Sequence, residues 1–142
     1  VGGYIITQKP FMIVDCGSAI SIDFVNFDAK HEGGYILSGL KGYGNSFQNT
    51  HKLKNLKIKK INISTGTAIA KDTKNALTKG YLLMITSAIE RAYEEFTTNI
   101  QYKPKLIVTG PYSKEIFLHT SLKAKFEPDF VLKCLGIISR EY

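Results

Sequence analysis

Asp15, Gly17 and Ser18 stand within four residues of one another, in the stretch VDCGSAISID at 14–23. The stretch reads as two short apolar strands joined by a tight turn. Each of the three residues has a use beside a polyphosphate. A glycine lets backbone N–H groups approach phosphate oxygens closely. A serine hydroxyl can donate to such an oxygen. A carboxylate cannot touch phosphate without a cation between them, so Asp15 implies a metal ion or a positioned water. The loop is not a Walker A loop, because GxxxxGK[ST] is absent. Read by itself, the same stretch is also an ordinary Asx-type turn in a hairpin, and both readings stand.

Three later stretches carry weaker signals of the same kind. HEGGYILSGL at 31–40 pairs two glycines at a strand start and ends on Gly39, as at a bulge or tight entry. DTKNALTKG at 72–80 puts Asp72 or Thr73 at the head of a helix. Thr73 there is a cap, or a hydroxyl presented with the helix N-terminus to a polar or anionic ligand. Gly80 predicts close packing against another helix, with the same helix of a second subunit as one candidate partner. LIVTGPY at 106–112 is a buried strand running into Thr109-Gly110. In α/β folds such strand ends border nucleotides. His31 has no second His or Cys at metal-ligand spacing.

These residues need a scaffold, and the composition allows one. The chain has 142 residues, 44% of them apolar, enough for one domain with a real core. No apolar run approaches the roughly 20 residues of a membrane span, and the first residues do not read as a signal peptide. Cys16 and Cys134 are too few for a disulfide framework or a zinc site. A reducing, cytoplasmic compartment is therefore expected. The net charge is +7, much of it from HKLKNLKIKKINI at 51–63. That alternation reads as a solvated strand face. Nucleic-acid binding is not expected, because no RNP, KH or zinc-finger pattern accompanies the lysines. The chain opens on VGGYIITQ without Met, which reads as a piece of a longer protein.

Hydrophobic patterning predicts strands at 11–15, 19–25 and 33–39, the first two antiparallel across the Gly17 turn. A polar helix at 40–52 is weakened by Gly42 and Gly44. Residues 56–63 read as a strand or extended connection. The longest helix is predicted at 73–98, with Ala76, Leu77, Gly80, Tyr81, Met84, Ala88, Ala92 and Phe96 on its apolar stripe. A strand at 105–110, a short helix at 113–122, a strand and loop at 124–129 and a helix at 130–141 complete the order. A three-strand antiparallel meander continued by α/β crossovers is the plan of one lobe of the acetate and sugar kinase/Hsp70/actin superfamily, the ribonuclease H-like fold. The expected organisation is a single C-terminal lobe over 1–142, with the N-terminal lobe absent.

Taken in order, the four stretches resemble the C-terminal half of type III pantothenate kinases. That family carries D-x-G-[ST]-A-x-[ST]-[IV]-D, matched by Asp15, Gly17, Ser18, Ala19, Ser21, Ile22 and Asp23. Its H-x-G-G-x-I-x-P-G-L is matched by His31, Gly33, Gly34, Ile36, Gly39 and Leu40, and its S-T-x-x-A-x-x-x-G by Thr73, Ala76 and Gly80. Its T-G-G-D turn is matched by Thr109 and Gly110 alone. Ser18 and the compact ending look most like the epsilonproteobacterial members. The resemblance implies ATP-dependent phosphorylation of pantothenate, the first step of coenzyme A biosynthesis, with Mg²⁺ and a monovalent cation, K⁺ or NH₄⁺. It implies that Asp15 helps hold the monovalent cation and that Gly17 and Ser18 contact ATP phosphates. It places Thr109-Gly110 on the nucleotide side, and Thr73 on pantothenate across a homodimer interface. The family's general base is an aspartate in a G-x-D-R motif about fifteen residues before Asp15. That count lands at or just before Val1, and no G-x-D-R occurs in this chain. The resemblance therefore implies that the catalytic aspartate lies upstream of Val1, with no catalytic residue in the chain itself. The chain alone is expected to be inactive. Ser38, Asp72 and the pair Pro111-Tyr112 depart from the family pattern. The alternative reading is a non-catalytic binding or regulatory protein on the same fold.

Overall fold

The structure is a computed structural model that describes residues 3, 7–50, 53 and 69–141. Its centre is one five-stranded sheet, in the order β3-β2-β1-β4-β5. The strands are β1 (Phe11–Cys16), β2 (Ala19–Val25), β3 (His31–Ser38), β4 (Lys105–Thr109) and β5 (Lys125–Phe126). The helices are α1 (Leu40–Asn45), α2 (Thr73–Ile100), α3 (Ser113–Phe117) and α4 (Phe130–Glu141). β1, β2 and β3 form an antiparallel meander, whereas β4 runs parallel to β1 and β5 parallel to β4. Mixed pairing follows from the connections. Short turns can only reverse the chain, and the helical crossover through α2 returns it in the same direction.

β1 is the central strand, and its alternation divides the core in two. Met12, Val14 and Cys16 are fully buried on one face, with Ile20, Ile22, Tyr81, Ile85, Ile89 and Val108. Phe11 faces the other way with Ile107 and Phe130, and Ile13 and Cys134 pack against them. α2 covers the first face and α4 the second.

The predicted stripe on α2 is partly displaced. Leu77, Tyr81, Ala92 and Phe96 are buried, but Ala76 and Met84 face outward. Leu82, Ile85 and Ile89 take their place, with Thr78 and Thr86. Threonine is tolerated on that face because its hydroxyl satisfies itself on the preceding turn. Thr86 Oγ1 donates to the Leu82 carbonyl at 2.8 Å, and Thr78 Oγ1 to the Lys74 carbonyl at 3.2 Å. The helix begins at Asp72, whose carboxylate accepts the Asn75 N–H at 3.0 Å. It ends on Gln101 in the left-handed region (φ 50°), before Pro104.

α1 is shorter than the predicted 40–52. Its helix stops at Asn45, and residues to Thr50 continue in turns. Gly42 and Gly44 lie inside it, and each glycine costs a helix about 1 kcal/mol relative to alanine. β3 begins two residues earlier than predicted, at His31, and carries a bulge between His31 and Gly33, opposite Phe24 and Val25. The reading of 56–63 as a strand, and the lysines of 54–60, lie outside the described residues. So does Val1, the position upstream of which the catalytic aspartate is expected.

Candidate functional site

The carboxyl end of β1 is where separated parts of the sequence meet. β1 ends at Cys16, Gly17 and Ser18 form the turn, and β2 leaves from Ala19. The Gly17 N–H closes the turn on the Ala19 carbonyl at 3.0 Å. Ser18 is exposed at its tip. Asp15 is half-buried on the strand below, flanked by Ser21 of β2 and Thr109 of β4. Among the described residues, no side chain pairs with its carboxylate.

Two other segments close on this turn. Gly39, at the N-terminus of α1, lies so near that a β-carbon there would stand 2.1 Å from the Ser18 carbonyl oxygen. Gly110, at the end of β4, has φ +92°, and a β-carbon on it would meet Asp15 Oδ1 at 2.6 Å and the Cys16 backbone at 2.7 Å. Two residues on, the Tyr112 N–H donates to the Cys16 carbonyl at 3.1 Å. The Ser113 hydroxyl and N–H both return to the Gly110 carbonyl, which fixes the β4–α3 turn. Three of the four stretches singled out in the sequence thus pack backbone to backbone around Asp15 and Ser18.

Gly17 behaves differently from the other two glycines. A β-carbon on it would meet nothing closer than the Ala19 carbonyl at 3.6 Å. The fold does not require glycine there. What a side chain would occupy is open space beside the Ala19 carbonyl and the Asp15 carboxylate.

The fourth stretch joins indirectly. Gly80 of α2 does pack closely against another helix, but the partner is α1 of the same chain. A β-carbon there would stand 3.3 Å from the Tyr43 hydroxyl. The Tyr43 and Tyr81 rings lie 5.2 Å apart, beneath the turn. Burial, with Cys16 and Tyr112 nearby, pushes the Tyr81 phenol up to about 12. Burial next to Asp15 likewise pushes the Cys16 thiol up to about 12, so Cys16 is inert packing rather than a nucleophile. Thr73 is exposed at the first position of α2. Eight residues of helix place it about 12 Å along the axis from Tyr81. The cap is Asp72, which leaves the Thr73 hydroxyl free of that duty.

Thr109 is buried, and its hydroxyl donates to the Pro128 carbonyl at 3.2 Å. It fastens β4 to the loop before α4 and does not face the turn, so at this corner only the Gly110 backbone borders the site. At the far end of the meander, His31 Nε2 lies 2.8 Å from Asp23 Oδ1, joining the first and second stretches again. Sequence reasoning marked Gly39 as the end of a strand and one match to a family pattern, and Tyr112 only as a departure from a pattern. Nothing local in the sequence signals that either touches the β1 turn.

The geometry suits an anion at the turn with a cation below it. Ser18 and the turn backbone offer donors, and Asp15 offers a single unpaired carboxylate. The described residues contain no group of three or more His, Cys, Asp or Glu that could hold a metal ion by themselves.

Comparison with known proteins points to one family. The family model of type III pantothenate kinase matches residues 1–95. A type III pantothenate kinase of Sulfurihydrogenibium is 28% identical over 136 residues, covering 95% of this chain and 52% of the relative. That of Persephonella marina is 31% identical over 103 residues, covering 72% of this chain and 39% of the relative. The chain spans about half the length of the curated relatives it matches. A solved structure from Campylobacter jejuni, described as belonging to the Baf family of transcriptional activators, shares the fold. Its TM-score is 0.70 at 23% identity, over 99% of this chain and 61% of that one. With a family model matched over more than half its length, the chain belongs to the type III pantothenate kinase family.

Proposed function

We propose that the protein to which this chain belongs transfers the γ-phosphoryl group of ATP to the primary alcohol of pantothenate, forming 4'-phosphopantothenate, and that this chain supplies one lobe of the enzyme. The observation that carries the reading is the convergence of Gly39 and Gly110 on the Asp15–Ser18 turn. The strand order, a meander continued by parallel crossovers, supports the finer description as a ribonuclease H-like lobe. Phosphoryl transfer asks the protein mainly for positioning and charge stabilisation, and an open turn beside a carboxylate suits that task.

In this reading Ser18 donates its hydroxyl to a phosphate oxygen, and the Gly17 backbone lies against the phosphate chain. The Gly110 turn borders the nucleotide. Asp15 is a ligand for a monovalent cation, K⁺ or NH₄⁺, and a single half-buried carboxylate suits a singly charged ion. Mg²⁺ and the monovalent cation offset the charge of the phosphates when bound. Thr73 contacts pantothenate at the interface of a homodimer. Leu83 and Met84, exposed on the same helix, support α2 as that interface. The general base is the aspartate of the family's G-x-D-R motif, which has no match in these 142 residues. We assign it to a segment upstream of Val1 that carries a second, N-terminal lobe. We place the enzyme in the cytoplasm, without nucleic-acid or membrane partners. No described helix is long and apolar enough to cross a membrane.

A non-catalytic, regulatory protein is the second reading. It is favoured by Pro111-Tyr112, which replace the Gly-Asp of the family turn, and by the description of the Campylobacter jejuni neighbour. Pantothenate-dependent ADP release by the full-length gene product, in Mg²⁺ with K⁺ or Na⁺, separates the two. K⁺-stimulated turnover is expected. A folded dimer that carries the G-x-D-R motif and does not turn over would establish the regulatory reading.

A further inference from the structure

β5 is two residues long and pairs only with Ile107 and Val108 of β4. The start of β4, Lys105 and Leu106, therefore has no described strand beside it on the side away from β1. A cavity of about 350 Å³ opens at this gap, within the size range of small-molecule sites. Its buried floor is apolar: Pro104, Leu106, Ile107 and Phe130. Its rim is basic, with the exposed Lys105, Lys123 and Lys125 set against Glu127 alone.

The charges do not cancel. Glu127 is already matched twice, by Lys125 at 2.7 Å and by Lys133 at 2.6 Å. Lys105 is held in place by donating to the Thr7 carbonyl at 2.9 Å. An ammonium has three N–H donors, so Lys105 keeps two for a ligand. Lys123 makes no hydrogen bond or ion pair among the described residues. We propose that this cavity binds an amphipathic anion, a carboxylate or phosphate head on a short apolar chain. The chain lies on Leu106, Ile107 and Phe130, and the head meets Lys105 and Lys123. The site is separate from the phosphate turn. Lys105 and Thr109 stand at opposite ends of β4, about 13 Å apart by strand rise.

The test is titration of the full-length gene product with octanoate, octyl phosphate and octanol, read by calorimetry. Saturable binding of at least one anion is expected, with octanol much weaker, and the tighter anion identifies the head group. Lys123→Glu should raise its Kd about tenfold, as should Lys105→Met, and tripolyphosphate should not compete. Lys123 is exposed and unpaired among the described residues, so Lys123→Glu should fold. Absence of saturable binding, or an unchanged Kd in both lysine variants, would overturn the proposal. So would loss of binding in a Leu132→Gln/Leu135→Gln control, which would move the ligand to the exposed face of α4. No outcome depends on kinase activity, so failure here leaves the catalytic reading standing.

Discussion

Gly110 lies against Asp15 so closely that a β-carbon on it would stand 2.6 Å from the Asp15 carboxylate oxygen. The contact joins the end of β4 to the end of β1, and the backbone of Gly110 is in a region that other residues rarely adopt (φ +92°). Gly110→Ala therefore meets both strain and collision. The strain alone costs about 1–3 kcal/mol, and the collision must displace Asp15 or the Cys16 backbone. A fall in Tm of roughly 5 °C or more is expected, with loss of any K⁺ stimulation. A variant with wild-type Tm would show that the β4–α3 turn is free to move away from Asp15.

Gly17→Ala is the informative contrast. The nearest atom to a new β-carbon is 3.6 Å away, and no unusual backbone angle is needed, so the fold should survive with little change in Tm. The methyl group would stand over the turn, where the phosphate chain is placed in the proposed function. Gly17→Ala and Ser18→Ala should both weaken ATP use in the full-length enzyme while leaving the circular dichroism spectrum intact. Loss of a hydrogen bond to a charged ligand is worth about 1.5–3 kcal/mol, so Ser18→Ala should raise the apparent ATP requirement at least about tenfold. Wild-type ATP kinetics in both variants would remove the turn from the site.

Asp72 and Thr73 are adjacent but should fail differently. Asp72 caps α2, with its carboxylate oxygens on the Asn75 N–H at 3.0 Å and the Asn75 amide at 2.6 Å. These bonds hold its carboxyl below the usual carboxylate range. Asp72→Ala should lower Tm at neutral pH. The difference from wild type should narrow as acid protonates Asp72 in the folded state, because a depressed pKa contributes stability only above it. Thr73→Ala should leave Tm unchanged and raise the pantothenate requirement. A Tm loss in Thr73→Ala equal to that in Asp72→Ala would make Thr73 part of the cap instead.

The order of elements was legible because each announces itself locally. Alternation marks β2, and a long 3.6-residue period closed by Pro104 marks α2. The buried face of α2 was less legible, because a stripe through Ala76 and Met84 fits the period as well as one through Leu82 and Ile85. Only the packing of threonines that satisfy their own hydroxyls decides between them. The site was legible as separate pieces and not as contacts. That Gly39 presses on Ser18, and Gly110 on Asp15, depends on strand order and on the exact height at which β4 ends. Thr109 illustrates the limit: it pairs in register with Asp15 at the end of β4, yet its hydroxyl is spent on Pro128.

Glu127 provides a pH-dependent check on the far end of the sheet. One carboxylate oxygen accepts Lys125 and the other Lys133, and these bonds hold the carboxyl down at about 2, from an ordinary value of 4.5. A group whose pKa is depressed on folding stabilises fully above its unfolded value and loses that contribution as pH falls through the folded value. The window is therefore about pH 4.5 to 2. Glu127→Gln should be less stable than wild type in urea unfolding at neutral pH, and the two midpoints should converge as the pH is lowered across that window. Because the pair is at the surface, salt at about 0.5 M should also shrink the gap. A difference that persists unchanged below that window would mean that Glu127 acts through packing of the β5–α4 loop rather than through its charge.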